Sequence, residues 1–225
     1  MKISVLAAAE FEAEPIAKAF NLNGPVSYHY TKVWKGSDFL LVQTNIGKVH
    51  AAAVTQLVID TEHPDLIINV GISGGFAKEV VLGDVVMPTE VIQYDSDQTK
   101  LGYPLGRIHK IEKAQIPLLT IRGKGFWKKG LCITADKILS DNNEGSLLYK
   151  KFHPAVVDME LGAIAQVCYM NKVKLVALKS PVDIVEREEV ASFTRRIDRS
   201  MSRLNEALSM VLLLLSKDVL WNLEK

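Results

Sequence analysis

The chain alternates between short apolar runs and longer amphipathic stretches. Near-continuous apolar runs occur at Ile3–Ala8, Phe39–Thr44, Leu66–Val70, Asp84–Pro88, Leu131–Thr134 and Leu175–Leu178. Each has the length of a strand, and the weak polar alternation predicts strands covered on both faces. Between these runs apolar residues recur every three or four positions. That spacing predicts helices over Glu12–Phe20, His50–Glu62 and Asp158–Met170, the second opened by the glycine of "NIGKV". A long C-terminal helix is predicted over Glu188–Ser216, where Phe193, Ile197, Met201, Leu204, Leu208 and Val211 form one stripe. Strand–helix alternation of this kind predicts the α/β class, a three-layer α/β/α sandwich around a central mixed sheet. No repeat or linker interrupts it, so residues 1–225 are expected to form a single domain. The basic stretch 109–130, "HKIEKAQIPLLTIRGKGFWKKG", fits the alternation less well. It reads as a solvated loop, with a hairpin around Gly123 and Gly125 as the alternative.

Composition narrows the class of partner. The 225 residues are 48% hydrophobic, enough to bury a sizeable core, and the net charge is +1. No global field attracts nucleic acid, so no nucleic-acid partner is expected. The apolar run near Leu208–Leu215 is too short to span a bilayer, and the opening "MKISVLAAAEFEAE" runs into acids where a signal peptide would be cleaved. Cys132 and Cys168 lie in apolar runs with no paired spacing and read as buried free thiols. The expectation is a soluble cytoplasmic protein without membrane attachment.

Candidate chemistry follows from where ligands bind in such folds, beyond the carboxyl ends of the strands. Five separated segments put polar groups there. They are Glu10, Glu12 and Glu14; "GISGGF" at 71–76; Asp136 and Lys137; Met159 and Glu160 in "VVDMELGAIAQVC"; and Lys179 with Asp183. Each has a plainer reading. Acids in a helix's first turn complement its dipole, which would account for Glu12 and Asp158. The glycines could form only a tight turn, Asp183 could cap a helix, and Met159 could fill the core. Their convergence on one sheet edge favours a site. The five histidines show no paired ligand spacing, so no metal is expected. Ser73 does not sit in G-x-S-x-G, and no G-x-G-x-x-G follows a strand.

Read in order, these segments resemble the nucleoside phosphorylase and nucleosidase superfamily, and within it most closely the 5′-methylthioadenosine/S-adenosylhomocysteine nucleosidases. "MKISVLAAAEFEAEPI", "TNIGKVHAAAVTQLVI", "PDLIINVGISGGF", "LGDVVMPTEVIQYDSD", "VVDMELGAIAQVC" and "LVALKSPVD" match the family's successive motifs along nearly the whole chain. The resemblance implies a nucleoside phosphorylase-like fold that cleaves the N-glycosidic bond of a purine nucleoside, with no cofactor. Glu12 would activate a water, Asp183 would serve the purine N7 as acid, and Glu160 would hold two ribose hydroxyls and favour the oxocarbenium-like sugar. Met159 would pack on the sugar, leaving Asp158 as a solvated helix-start acid. Substrate contacts are further implied for Ile46, Ser73, Gly74, Ile138, Leu139 and Lys179. Phosphorolysis would require arginines near the glycine segment or Glu12, and none is present there, which favours water over phosphate. A homodimer is implied as well, the loop after Tyr94, "DSDQTKLGYPLG", closing a neighbour's pocket.

The chain departs from the family around the base. Ile72 stands where a serine usually contacts the aspartate, and Ser73 is one place away. Ile138 replaces the phenylalanine that stacks on adenine, Val182 a serine, and Lys179 an arginine with its planar fork. The ribose-cleaving residues are kept while the base wall is changed. Two alternatives follow: a related nucleosidase of altered base or 5′-group preference, such as the futalosine type, or a non-catalytic nucleoside-binding or storage relative.

Overall fold

β1 (Ile3–Ala7) is buried at all five residues, as an interior strand of a two-sided sheet must be. It lies parallel to both β4 (Leu40–Gln43) and β5 (Leu66–Phe76). A hairpin of β2 (Asn23–Tyr28) and β3 (Thr31–Lys35) extends the sheet beyond β4. On the other side β5 pairs in parallel with β11 (Lys174–Val185), which meets β6 (Val86–Gln93) antiparallel. β6 then pairs in parallel with β9 (Lys128–Thr134), and β9 with β10 (Val156–Asp158). β10 returns to pair antiparallel with β5 through Val156 and Val157 opposite Gly75 and Gly74. The far half of the mixed sheet therefore curls into a closed ring β5-β11-β6-β9-β10. The structure, a computed structural model, describes residues 1–109, 111, 114–121, 125–185, 193–216 and 223–224.

Helices cover both faces. α1 (Glu10–Ala19) and α5 (Phe193–Ser216) bury Ile16, Leu204, Leu208 and Val211 against Val5, Ile68 and Val176. α2 (Lys48–Glu62) and α4 (Leu161–Asn171) bury Val54, Val58, Ile164 and Val167 against Leu6, Ile67 and Ala177. Odd and even positions of β1, β5 and β11 thus feed two separate cores, the period-2 signature of a strand between two layers. The expected α/β sandwich with a mixed sheet is what forms. α3 (Asn142–Phe152) packs Leu148 on a smaller third cluster with Ile133 and Val157.

Several local expectations are corrected. "GISGGF" is no turn, because β5 runs straight through it to Phe76. Its glycines do not have the positive φ of the turn glycines, and the space around them explains why they are needed, as shown below. β11 likewise runs through Pro181, so Asp183 is a strand residue and not a helix cap. The "VVDMELGAIAQVC" helix begins at Leu161, and Asp158 closes a strand instead of opening the helix. Between 109 and 130, Ile111, Ile116, Leu118, Ile121 and Trp127 are buried. Short strands β7 (Ile116–Pro117) and β8 (Thr120–Ile121) form there, β7 on the edge of β6 and β8 against β12 (Leu223–Glu224). The solvated reading therefore fails for the described part. The turn around Gly123 and residues 188–192 of the predicted C-terminal helix lie outside the described residues.

Candidate active site

Seven segments meet at one sheet edge and enclose a cavity of about 320 Å³, at the lower end of the ~300–1,000 Å³ usual for small-molecule sites. Glu12, Ile46, Ser73, Gly74, Ile138, Leu139, Met159, Glu160 and Asp183 all line it. Lys179 does not; it is buried behind the wall and reaches the cavity only through its partners. Of the three acids after β1, only Glu12 turns inward. Glu14 is exposed, and Glu10 pairs with Lys32 at the surface.

Glu12 is 3% exposed. Its Oε2 accepts the backbone N–H groups of Ala8 and Ala9, both at 2.8 Å, and its Oε1 accepts that of Ile72 at 2.7 Å. The first two bonds are those of a helix-start acid reaching back over its own N-terminus. The third crosses from α1 to β5 and is made possible by Gly71, where a Cβ would stand 2.7 Å from Oε1. Burial raises the Glu12 pKa above the ordinary carboxylate value, against the opposing pull of Lys179 and the three N–H groups. A carboxylate that holds a proton more readily, fixed in position by backbone, is suited to take a proton from water.

Glu160 is the residue before α4. Its Oε1 accepts the N–H of Gly47 at 2.9 Å, at the start of α2. Gly47 has φ 97°, a conformation glycine adopts without cost. Burial, followed by the like charge of Asp158, pushes the Glu160 pKa up to about 7. Glu160 and Met159 lie side by side on the cavity wall.

Asp183 follows a bulge at Val182 and pairs with Gly74 of β5. A Cβ at Gly74 would approach Asp183 Oδ1 to 3.1 Å and Val157 Cγ1 to 2.9 Å. Gly71 and Gly74 therefore serve the same purpose: each gives a carboxylate room against β5. Ser73 lies between them, buried, and its hydroxyl has no hydrogen-bond partner among the described residues.

Asp158 is the largest departure from expectation. It is 5% exposed and forms an ion pair with Lys179, 2.7 Å from Nζ to Oδ2. The N–H of Leu161 donates to the same oxygen at 2.9 Å, and Thr134 Oγ1 donates to Oδ1 at 2.6 Å. A buried acid needs such partners, and a solvated helix-start acid would not have them. Sequence reasoning missed this pairing because the two residues lie far apart in the chain. It also missed Phe11 and Phe193, which line the cavity mouth and are 41% and 50% exposed. For Phe11, its adjacency to Glu12 was the available signal.

Among the described lining residues the only cation is Lys137, at the lip and paired with Glu144. No group of three or more potential metal ligands occurs among the described residues. The cavity therefore presents four acidic residues, Glu12, Glu160, Asp183 and the Lys179-paired Asp158, with an apolar wall and an apolar mouth.

The phosphorylase superfamily profile matches residues 2–213. A 5′-methylthioadenosine/S-adenosylhomocysteine nucleosidase of Buchnera aphidicola is 31% identical over 94% of this chain and 97% of its own. Among solved structures, a nucleosidase of the same description from Colwellia psychrerythraea, in complex with adenine, is 26% identical with a TM-score of 0.82, covering 96% of this chain and 95% of that one. A futalosine hydrolase of Helicobacter pylori shares the fold, with a TM-score of 0.84 at 22% identity, over 93% of this chain and 96% of its own.

Proposed function

We propose that this chain, which belongs to the phosphorylase superfamily and within it to the 5′-methylthioadenosine/S-adenosylhomocysteine nucleosidases, hydrolyses the N-glycosidic bond of those two nucleosides and releases adenine. The observation that carries the site assignment is the pair of carboxylates packed against the glycines of β5, Glu12 against Gly71 and Asp183 against Gly74, with Glu160 on the same cavity.

Bond cleavage leaves positive charge on the ribose and negative charge on the departing purine. Asp183 delivers a proton to the purine N7 and makes adenine a better leaving group. Glu160 accepts the ribose hydroxyls and stabilises the cationic sugar by its charge, with Met159 packed against the ring. Glu12 orients a water and takes its proton as the new C1′–O bond forms. Ile138 and Leu139 hold the base, and Gly74 gives the backbone room beside it. Ser73 faces the same ligand. Ile46, with Phe11 and Phe193, suits an apolar 5′-thio substituent. Water as the nucleophile is supported by the described lining residues, which offer phosphate no arginine and only a lip lysine already paired.

The working form is a homodimer. Val49, Leu101 and Tyr103 are exposed apolar side chains at the start of α2 and in the loop after Tyr94, and the Lys48–Asp95 ion pair joins those two segments. A second copy would cover them. Sedimentation at micromolar concentration showing a monomer would contradict this. No helix among the described residues is long and apolar enough to cross a membrane. Two free buried cysteines suit a reducing compartment and support a cytoplasmic location.

The test is base release from methylthioadenosine, S-adenosylhomocysteine, adenosine, inosine and futalosine, with and without phosphate. Phosphate-independent adenine release from the thio-substituted nucleosides, lost in Glu12→Gln and Asp183→Asn, is expected. Preferential cleavage of futalosine would move the chain to the altered-preference alternative. No release from any of them would support the binding-only alternative.

A further inference from the structure

The carboxylates of the cavity share one buried counter-charge that does not touch the ligand space. Lys179 is 2% exposed on β11, and its ammonium meets Asp158 of β10. Asp158 in turn holds the N–H of Leu161 and the hydroxyl of Thr134, and that hydroxyl accepts the N–H of Gly162 at 2.9 Å. Three strands and the start of α4 are thereby tied at one point. Met159 and Glu160 are the two residues between the tied positions, so their placement follows from this network.

We infer that Lys179 is a positioning residue for the cleavage reaction: through Asp158 it anchors the β10–α4 junction that presents Met159 and Glu160, and its positive charge offsets the acids packed around it. The inference rests on the nucleosidase reading of this cavity and adds a role that direct substrate contact would not require. The charged and titratable groups facing the cation are Asp158 on β10, Glu160 before α4, Glu12 on α1 and the Cys132 thiol on β9. Burial alone would pull the Lys179 pKa down. Asp158 and then Glu160 pull it further up, so the ammonium stays protonated. Glu160 feels Asp158 as a like charge and Lys179 as an opposite one, with the Gly47 N–H also lowering its pKa and Glu12 raising it.

The test uses opposite signs, which a loss of packing would not produce. Wild type, Asp158→Asn and Asp158→Asn/Lys179→Met are compared by the acid limb of kcat/KM, and by carbon-detected NMR titration of the Glu160 carboxyl, assigned through Glu160→Gln. Replacing both charges by neutral side chains leaves no buried ion stranded in the double variant, while in Asp158→Asn the ammonium keeps Glu160 and Glu12 as opposite charges. Asp158→Asn should move the limb and the titration to lower pH by about one unit. Adding Lys179→Met should move both back up by at least as much, because the two variants differ by that single cation. Identical midpoints in these two variants would overturn the inference, as would lower kcat with an unmoved limb. If the double variant does not fold, Lys179→Met is titrated instead: a Glu160 midpoint above that of wild type supports the inference and an unmoved midpoint overturns it. Should wild type hydrolyse nothing, the nucleosidase reading fails while the NMR titration still decides the charge coupling.

Discussion

The two walls of the cavity are built differently. On the ribose side, Glu12 is held by three backbone N–H groups from two elements and Glu160 by a fourth from α2. On the base side, Ile138 is 73% exposed on the loop after β9. The first wall is rigid and its charges are set by burial. The second is open and aliphatic. A reaction that develops charge at C1′ requires fixed carboxylates, since donors and acceptors already in place cost no reorganisation at the moment of reaction. Recognition of a flat base requires only contact area, which an exposed side chain on a loop can vary. The chemistry is therefore locked where the strands end, and selectivity is left to the loop.

The strongest way to break this comparison is to disarm the fixed wall. Glu12→Gln and Asp183→Asn should each lower kcat/KM by about 10²–10⁴-fold, roughly 3–5 kcal/mol of barrier, in steady-state assays of adenine release. Gly71→Ala comes next. Its Cβ would sit 2.7 Å from Glu12 Oε1, so the carboxylate must leave the Ile72 N–H. Displacement by about 1 Å should cost on the order of 10²-fold in kcat with the fold retained by circular dichroism.

Glu160 links activity to pH in two ways. Its pKa in the fold, about 7, lies above the ordinary 4.5. As the ionised form is the one that binds ribose, kcat/KM of the free enzyme should fall as pH drops through about 7, earlier than an exposed carboxylate would allow. Stability runs the other way. A raised folded pKa gives stability present below about 4.5 and lost as pH rises through about 7. Glu160→Gln should therefore lose activity yet raise Tm at pH 8 by a few degrees, on the order of 2–4 °C per kcal/mol for a chain of this size. An unchanged or lower Tm at pH 8 would mean that the acid is solvated. The smallest effect belongs to the open wall. Ile138→Phe should change KM for methylthioadenosine less than about tenfold, a contribution of roughly 0.5–1.5 kcal/mol from ring stacking, and leave kcat nearly unchanged.

The same contrast governed what could be read from the sequence. Strands buried on both faces announce themselves as apolar runs, and β1, β4 and β9 were legible to within a few residues. β5 and β11 were cut short because glycine, serine and proline in 71–75 and 180–181 look like turns, although here the small residues make room for Glu12 and Asp183. The β2–β3 hairpin was missed because β2 is exposed along its whole length and carries no apolar pattern. α3 was missed because it buries only Gly145 and Leu148. Asp158 illustrates the limit most clearly. A solvated first-turn acid and a buried paired acid have the same local sequence, and the difference lies in Lys179, which is distant in the chain and adjacent only once β10 and β11 are folded. The cavity residues themselves were legible because motifs at strand ends keep their order, whereas their hydrogen-bond partners are backbone groups that no residue pattern encodes.

The central claim is that water, activated by Glu12, attacks C1′ without phosphate. It is tested most directly by cleaving methylthioadenosine in ¹⁸O-water with phosphate present and weighing the sugar product. Free methylthioribose carrying one ¹⁸O, at a rate independent of phosphate, is the predicted result. An unlabelled sugar 1-phosphate, formed only when phosphate is supplied, would contradict the account.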